Sequence, residues 1–234
     1  MSLQAHYKLD DNAASTVVAD ASGNGYPGTA ARNTDQTSAV GKVGLGYNAN
    51  GTSDAVTVAR FAPTGAVTYA AWLKPTALGS YRGILSQRGN AAGDFVLRSG
   101  VTAGSGTLTF LRWTGVENAL QTWASVRTLV TGSWQHIVVV YDGSATLVVY
   151  INGVPESITA TTANVTLTAE SFFIGFQGTT WFSGILDDVR VYNEALTAQQ
   201  VAAVYNGGRG SPRPVPWQRR LVQPTIRQLI RGAA

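Results

Sequence analysis

The chain has 234 residues, 44% of them hydrophobic and only 13% charged, with 26 glycines and no cysteine. This supplies enough apolar material for a large β domain and excludes a disordered chain, a disulfide framework and a thiolate metal site. No stretch approaches 18 apolar residues, and MSLQAHYKLDDN at the start holds no charged segment leading into an apolar run, so the sequence predicts neither a membrane span nor a signal peptide.

The formal net charge of +4 is unevenly placed. Residues 207–234 contain six arginines (Arg209, Arg213, Arg219, Arg220, Arg227, Arg231) and no acid, which leaves 11 basic against 13 acidic residues in the body. A slightly acidic body therefore carries a strongly basic arm, and the two are expected to be separate units, 1–206 and 207–234.

From about residue 3 to residue 195 the chain runs in short β-branched and aromatic segments divided by Gly, Asn, Asp or Ser. DAVTVAR, AVTYAAWLKP, DFVLRSG, TLTFLRW, WQHIVVVYDG, ATLVVYINGVPE and SFFIGFQG are examples. This spacing predicts a sandwich of antiparallel strands, and the absence of long crossover helices argues against a parallel sheet. Asp142-Gly143 and Asn152-Gly153 predict two tight turns.

One helix is predicted in the body, over 198–206. Thr197 and Gln200 form a capping box, Leu196 and Val201 a hydrophobic staple, and Gly207 a C-terminal stop. Val201, Val204 and Tyr205 would share the face turned to the sandwich. Beyond it, GGRGSPRPVPWQRRLVQP reads as a linker. PTIRQLIRG then reads as a short amphipathic helix whose apolar face, too short to stand alone in water, needs a partner.

Three motifs in order, YKLDDNAASTVVADASGNGYPGTA, WQHIVVVYDGSATLVVYINGVPE and FSGILDDVRVYNEALTAQQVAAVYN, resemble the LamG-like jelly-roll domains of the concanavalin A-like lectin/glucanase superfamily. The resemblance spans roughly residues 3–206. It implies an all-β, two-sheet antiparallel jelly-roll sandwich, here with one short C-terminal helix and an extended basic arm. It does not fix an activity, because the same sandwich hosts lectins, hydrolases and structural modules.

Within ILDDVRVYN, strand alternation would put Asp187 with Val189 and Val191 on one face and Asp188 with Arg190 on the other, leaving Asp188 a surface acid. The resemblance brings Asp187 near the DASGNG loop, where such domains often hold a structural Ca²⁺. Asp20, Asn24 and Asp187 are the expected ligands, with Ser22 and backbone carbonyls beside them. The alternative is that Asp20 and Asn24 cap a turn while Asp187 accepts backbone N–H bonds.

Hydrolases of this superfamily carry acids clustered on one strand, whereas Glu117, Glu156, Glu170 and Glu194 stand singly in turn-like segments. With His136 read as a packed strand residue, no enzyme is expected. Trp72 and Trp134 match core positions of the family. Trp113, Trp123 and Trp181 fall in loop-like segments, where they either stack on sugar faces or pack loops.

The arm admits nucleic acid, anionic lipid or a protein partner. Its interleaved apolar residues favour docking on protein, through Trp217, Arg219, Arg220, Ile226, Leu229 and Ile230. The expectation is a non-catalytic lectin-like module fixed to a capsid or tail, such as a phage decoration protein that engages cell-surface glycans, with self-association open. The rival is a carbohydrate-binding module of a secreted bacterial protein.

Overall fold

The computed structural model describes residues 1–61, 65–79, 81–87, 94–100, 105–113, 120–144, 146–156, 158–163 and 171–207. Its strands are β1 (Leu3–Tyr7), β2 (Val17–Val18), β3 (Gly28–Ala30), β4 (Ser38–Val40), β5 (Leu45–Asn50), β6 (Val56–Val58), β7 (Val67–Pro75), β8 (Arg82–Gln87), β9 (Phe95–Ser99), β10 (Thr107–Trp113), β11 (Leu120–Thr128), β12 (Gln135–Tyr141), β13 (Leu147–Ile151), β14 (Val154–Glu156), β15 (Ile158–Ala163), β16 (Phe172–Ile174) and β17 (Ser183–Tyr192). The helices are α1 (Thr34–Thr37) and α2 (Ala198–Gly207).

Every pairing between these strands is antiparallel. One sheet runs β14-β13-β12-β7-β17-β5-β4 with β1 also on β17; the other runs β15-β11-β10-β9-β8-β16-β6-β3-β2. The two pack face to face as the jelly-roll sandwich that the spacing and resemblance imply.

Between the sheets lies a core rich in aromatic side chains. Tyr69 stacks on Phe95 with ring centroids 3.9 Å apart, and Phe61 meets Phe172 at 4.7 Å. β7 sends Val67, Tyr69, Ala71 and Leu73 into this core. Its other face, carrying Ala70 and Trp72, is also buried, because α2 lies over that side of the sheet. That double burial is why AVTYAAWLKP is mostly apolar instead of alternating.

α2 begins as its sequence specifies. The Thr197 backbone N–H donates to Gln200 Oε1 at 2.8 Å, and the Gln200 N–H donates back to Thr197 Oγ1 at 3.3 Å. Leu196, Val201 and Val204 are buried in one cluster with Val138, Val140, Tyr150 and Tyr192. Burying each valine contributes on the order of 1.5–3 kcal/mol. Tyr205 stacks on Trp72 at 5.5 Å.

The hairpin from β13 to β14 turns through Asn152 and Gly153, both at positive φ (54° and 78°), as a two-residue type I′ turn requires. Two details depart from the sequence reading. α1 is a second, four-residue helix that no periodicity announces, and Trp134 is only half-buried. No helix among the described residues is long and apolar enough to cross a membrane.

Candidate functional site

Strict alternation fails at the two adjacent acids. Leu186, Val189 and Val191 all enter the core, which leaves two residues between the first pair where a regular strand has one. A register shift between Asp187 and Arg190, with Asp188 at φ 48°, takes up the extra residue as a β-bulge. Asp187 and Asp188 consequently stand on the same outer face. Asp188 is no surface acid: it is 6% exposed and Asp187 is 0% exposed.

Both line a cavity of about 150 Å³ with His6, Lys8, Asp10, Val43, Arg190 and Gly207. His6 Nε2 donates to Asp188 Oδ1 at 2.7 Å, and Arg190 holds it through Nε at 3.0 Å and Nη2 at 3.0 Å. Burial pushes the Asp188 carboxyl up, but the His6 hydrogen bond and the Arg190 charge overcome it, so its pKa lies below the usual carboxylate value. For Asp187, burial wins. It is pushed up to about 6, although the Val43 and Lys42 N–H groups donate to its Oδ2 at 2.8 and 2.6 Å.

Two carboxylates with pKa values driven apart are what acid–base catalysis uses. Here the scaffold takes up most of their oxygens. Asp188 has an oxygen on His6 and both on Arg190; Asp187 has Oδ2 on the 42–43 backbone and Oδ1 sealed from solvent without a partner. The pair ties β1 and the turn before β5 onto β17.

The expected calcium ligands are not brought together. Asp20 accepts from the N–H groups of His6, Ser22 and Tyr26 and from Ser22 Oγ, and Asn24 Nδ2 donates to the carbonyls of Leu3 and Gln4. Asp187 belongs to the separate network just described. Among the described residues no three His, Asp or Glu are grouped to hold a metal. The turn-capping alternative matches these bonds.

The three tryptophans also separate. Trp123 lies mid-strand in β11, 5% exposed, with its ring 5.9 Å from Phe110 and 6.2 Å from Tyr141, so it is core and offers no sugar platform. QTWASVR reads as a loop only because polar residues flank the tryptophan; it is a strand with one side inward. Trp113 is the last residue of β10, and its side chain lies outside what the structure describes. Trp217, Arg219, Arg220, Ile226, Leu229 and Ile230 lie outside the described residues.

Trp181 is half-buried on the outer side of the nine-stranded sheet, between two cavities of about 310 and 330 Å³. The loop before it is a closed unit. Phe176 bridges to Trp181, and Gln177 Nε2 reaches Thr180 Oγ1 at 2.8 Å. Arg82 Nη1 donates to the Trp181 carbonyl at 3.1 Å and the Gly51 carbonyl at 3.3 Å.

On one flank the wall is polar: Gly51, Thr52, Arg82, Thr179 and Thr180. On the other the Trp181 ring lies 4.9 Å from Phe176, which lies 5.2 Å from Phe173. There a register row across β3, β6 and β16 presents Thr29, Thr57 and Phe173 side by side. Half-buried aromatic rings beside hydroxyls and a guanidinium suit a ligand with an apolar face and a rim of hydroxyls. Of these residues the sequence singled out Trp181 alone. Arg82, in β8, and Thr52, in the loop after β5, come from distant parts of the chain, and Phe173 reads as core until its register is known.

A family model described as concanavalin A-like lectin/glucanases superfamily matches residues 48–202. Among solved structures, domain 4 of AbnA, an extracellular arabinanase of family GH43 from Geobacillus stearothermophilus in complex with arabinotriose, superposes with a TM-score of 0.64 at 24% identity, covering 87% of this chain and 98% of that one. The binding domain of Paraclostridial Mosquitocidal Protein 1 gives 0.60 at 15% over 85% and 53%. The receptor binding domain of botulinum neurotoxin C/D mosaic serotype gives 0.63 at 13% over 88% and 51%, so the chain spans about half of each toxin domain. No curated protein matches the chain.

Proposed function

We propose that this chain, which belongs to the concanavalin A-like lectin/glucanases superfamily, is a non-catalytic glycan-binding module fixed to a larger assembly by residues 207–234. The observation that carries the binding half is the Trp181 trough: a half-buried indole flanked by Phe176 and Phe173 on one side and by Thr52, Thr179, Thr180 and Arg82 on the other. A pyranose ring has an apolar face that stacks on such rings and equatorial hydroxyls that reach such a rim. The co-crystallised arabinotriose of the arabinanase domain, whose whole length this chain matches, supports a sugar as ligand.

That the module is not an enzyme is supported by the acid pair, whose oxygens are taken up by the scaffold or sealed. The arm carries six arginines and no acid, interleaved with Trp217, Ile226, Leu229 and Ile230. That composition suits docking on an acidic protein surface with an apolar groove, as on a phage capsid or tail.

Two measurements test the halves separately. On a glycan array the wild-type chain should bind and Trp181→Ala should not; a Trp181→Ala profile identical to wild type overturns the site. A chain ending at residue 206 should no longer co-purify with virions, and full retention overturns the anchoring role. The second reading, an accessory module of a secreted bacterial enzyme, is favoured by the arabinanase domain. It is supported instead if the chain fractionates with culture medium and never with particles.

A further inference from the structure

We infer that the Trp181 trough selects an acidic sugar, a pyranose bearing a carboxylate, which Arg82 receives. The inference rests on the glycan-binding reading above and sharpens its ligand.

Charge is the first argument. The body of the chain is slightly acidic, yet the residues lining the two cavities beside Trp181 include one guanidinium and no carboxylate. Arg98, a further cation, stacks on Tyr81 with its guanidinium 4.2 Å from the ring, while Arg32 beside the second cavity is neutralised by Asp54 at 2.6 Å. Tyr81 in turn accepts Thr180 Oγ1 at its carbonyl, so Arg98 flanks the same loop. The local field therefore favours an anion.

Hydrogen-bond accounting is the second. The guanidinium of Arg82 has three nitrogens, and among the described residues only Nη1 is used, by the carbonyls of Gly51 and Trp181. Nε is buried without an acceptor, and among the described residues no carboxylate lies within ion-pair distance of Arg82. The nitrogen left over for a ligand is Nη2, whose N–H groups can donate to a carboxylate oxygen.

Placement is the third. Because Nη1 is fixed to the Trp181 carbonyl, Nη2 is held at one distance from the stacking ring, so ring and carboxylate of one sugar can be engaged together. Gly51 makes this geometry possible: at φ 80°, a Cβ there would stand 3.0 Å from Arg82 Nη1. Its loop is set by Asn50 Oδ1, which accepts the N–H groups of Thr52, Ser53 and Asp54 at 2.9, 2.9 and 3.1 Å. Thr52 is thereby presented at the rim.

The test is isothermal titration of the full chain with two matched series: lactose, sialyllactose and sulfated lactose; and trigalacturonate with its methyl ester. The expected result is a preference of about tenfold or more for the carboxylated member of one series over its neutral counterpart, weakening with salt. Whichever series shows it distinguishes a sialic from a uronic acid. In Arg82→Gln that ratio should collapse toward one. Since the variant also releases the Gly51 and Trp181 carbonyls, the wild-type ratio decides if it folds poorly. Equal binding of acidic and neutral members overturns the inference and leaves the glycan-binding reading standing. Sulfated lactose binding as tightly as sialyllactose overturns the selection of a carboxylate. Binding of no sugar overturns the glycan-binding reading itself.

Discussion

Asp188 and His6 are joined by a 2.7 Å hydrogen bond that ties the first strand of the chain to its last, across 182 residues of sequence. It is possible because Asp188 sits in a left-handed conformation, φ 48°, and so keeps to the outer face where His6 and Arg190 also lie. The same two requirements, a charge and a positive φ, act on one position. Aspartate and asparagine tolerate that backbone better than other residues with a Cβ.

Substitutions at Asp188 should therefore separate the two requirements. Asp188→Gly keeps the backbone and loses the ion pairs; Asp188→Ala loses both and should be about 1 kcal/mol less stable than the glycine variant. Asp188→Asn keeps backbone and hydrogen-bonding capacity and should lose least, with the full alanine cost about 3 kcal/mol because Arg190 is left half-buried and unpaired. Urea unfolding at neutral pH reads the order directly; alanine matching glycine removes the conformational argument. Since the folded pKa of Asp188 is depressed, its contribution is present above about pH 4 and is lost as pH falls through the folded value.

Asp187 and His136 flank Trp72 in one register row across β17, β7 and β12, and burial shifts each against its charged form. Burial pushes His136 down to about 3 despite the Asp188 carboxylate; it is 1% exposed and packs 4.9 Å from the Trp72 ring. Its depressed folded pKa makes a contribution to stability that is lost as pH falls below about 6.5, when the unfolded chain takes up the proton. Asp187, raised to about 6, does the opposite: its contribution is full below about pH 4 and lost as pH rises through 6. Between pH 4 and 6 the two slopes offset. Asp187→Asn, whose amide oxygen can accept the Lys42 and Val43 N–H bonds, should unmask the histidine. Its unfolding free energy should fall by about 1.4 kcal/mol per pH unit on acidification through that window. An unchanged profile in the variant places the acid sensitivity elsewhere.

Much of the fold is legible in the sequence because its signals are local. The Thr197–Gln200 box, the Asn152-Gly153 turn and the apolar period of Val201 and Val204 each fix their own element within a few residues. The acid pair misleads for the converse reason. A bulge changes which face a side chain takes without changing composition, and only Leu186, Val189 and Val191 all needing the core forces it. The partners of Asp187 lie in GKVG, 144 and 145 residues away, where the sequence shows only glycines around a lysine. In the trough, Thr52 from the loop after β5, Arg82 from β8 and Phe173 from β16 are likewise brought together from distant parts of the chain.

Trp123 and Trp181 look alike in sequence and should respond oppositely to truncation. Trp123→Ala removes a ring from the core beside Phe110 and Tyr141 and should cost about 3–5 kcal/mol in urea unfolding. Trp181→Ala removes a half-buried ring that meets Phe176 from outside and should cost about 1 kcal/mol, with its main effect on glycan titrations. If Trp181→Ala unfolds as readily as Trp123→Ala, the indole is a structural plug and the trough loses its platform.

Asp20 provides the sharpest test of whether a cation has any part in the N-terminal loop. Its four hydrogen bonds draw the loop onto β1: Oδ1 accepts from His6 N–H at 3.0 Å and Ser22 N–H at 2.9 Å, Oδ2 from Ser22 Oγ at 2.8 Å and Tyr26 N–H at 3.1 Å. Burial pushes its carboxyl up, but these donors prevail and hold it below the ordinary value, as a carboxylate serving as a pure acceptor should be. Such a hub needs no metal to hold its charge. Asp20→Ala should cost about 2–4 kcal/mol, because the N–H groups of His6 and Tyr26 lose their acceptor, and the cost should be the same in EDTA and in millimolar Ca²⁺. Thermal unfolding under both conditions decides. A wild-type melting temperature that rises with Ca²⁺, together with an Asp20→Ala variant that does not respond, would replace the hydrogen-bonded loop by a bound ion.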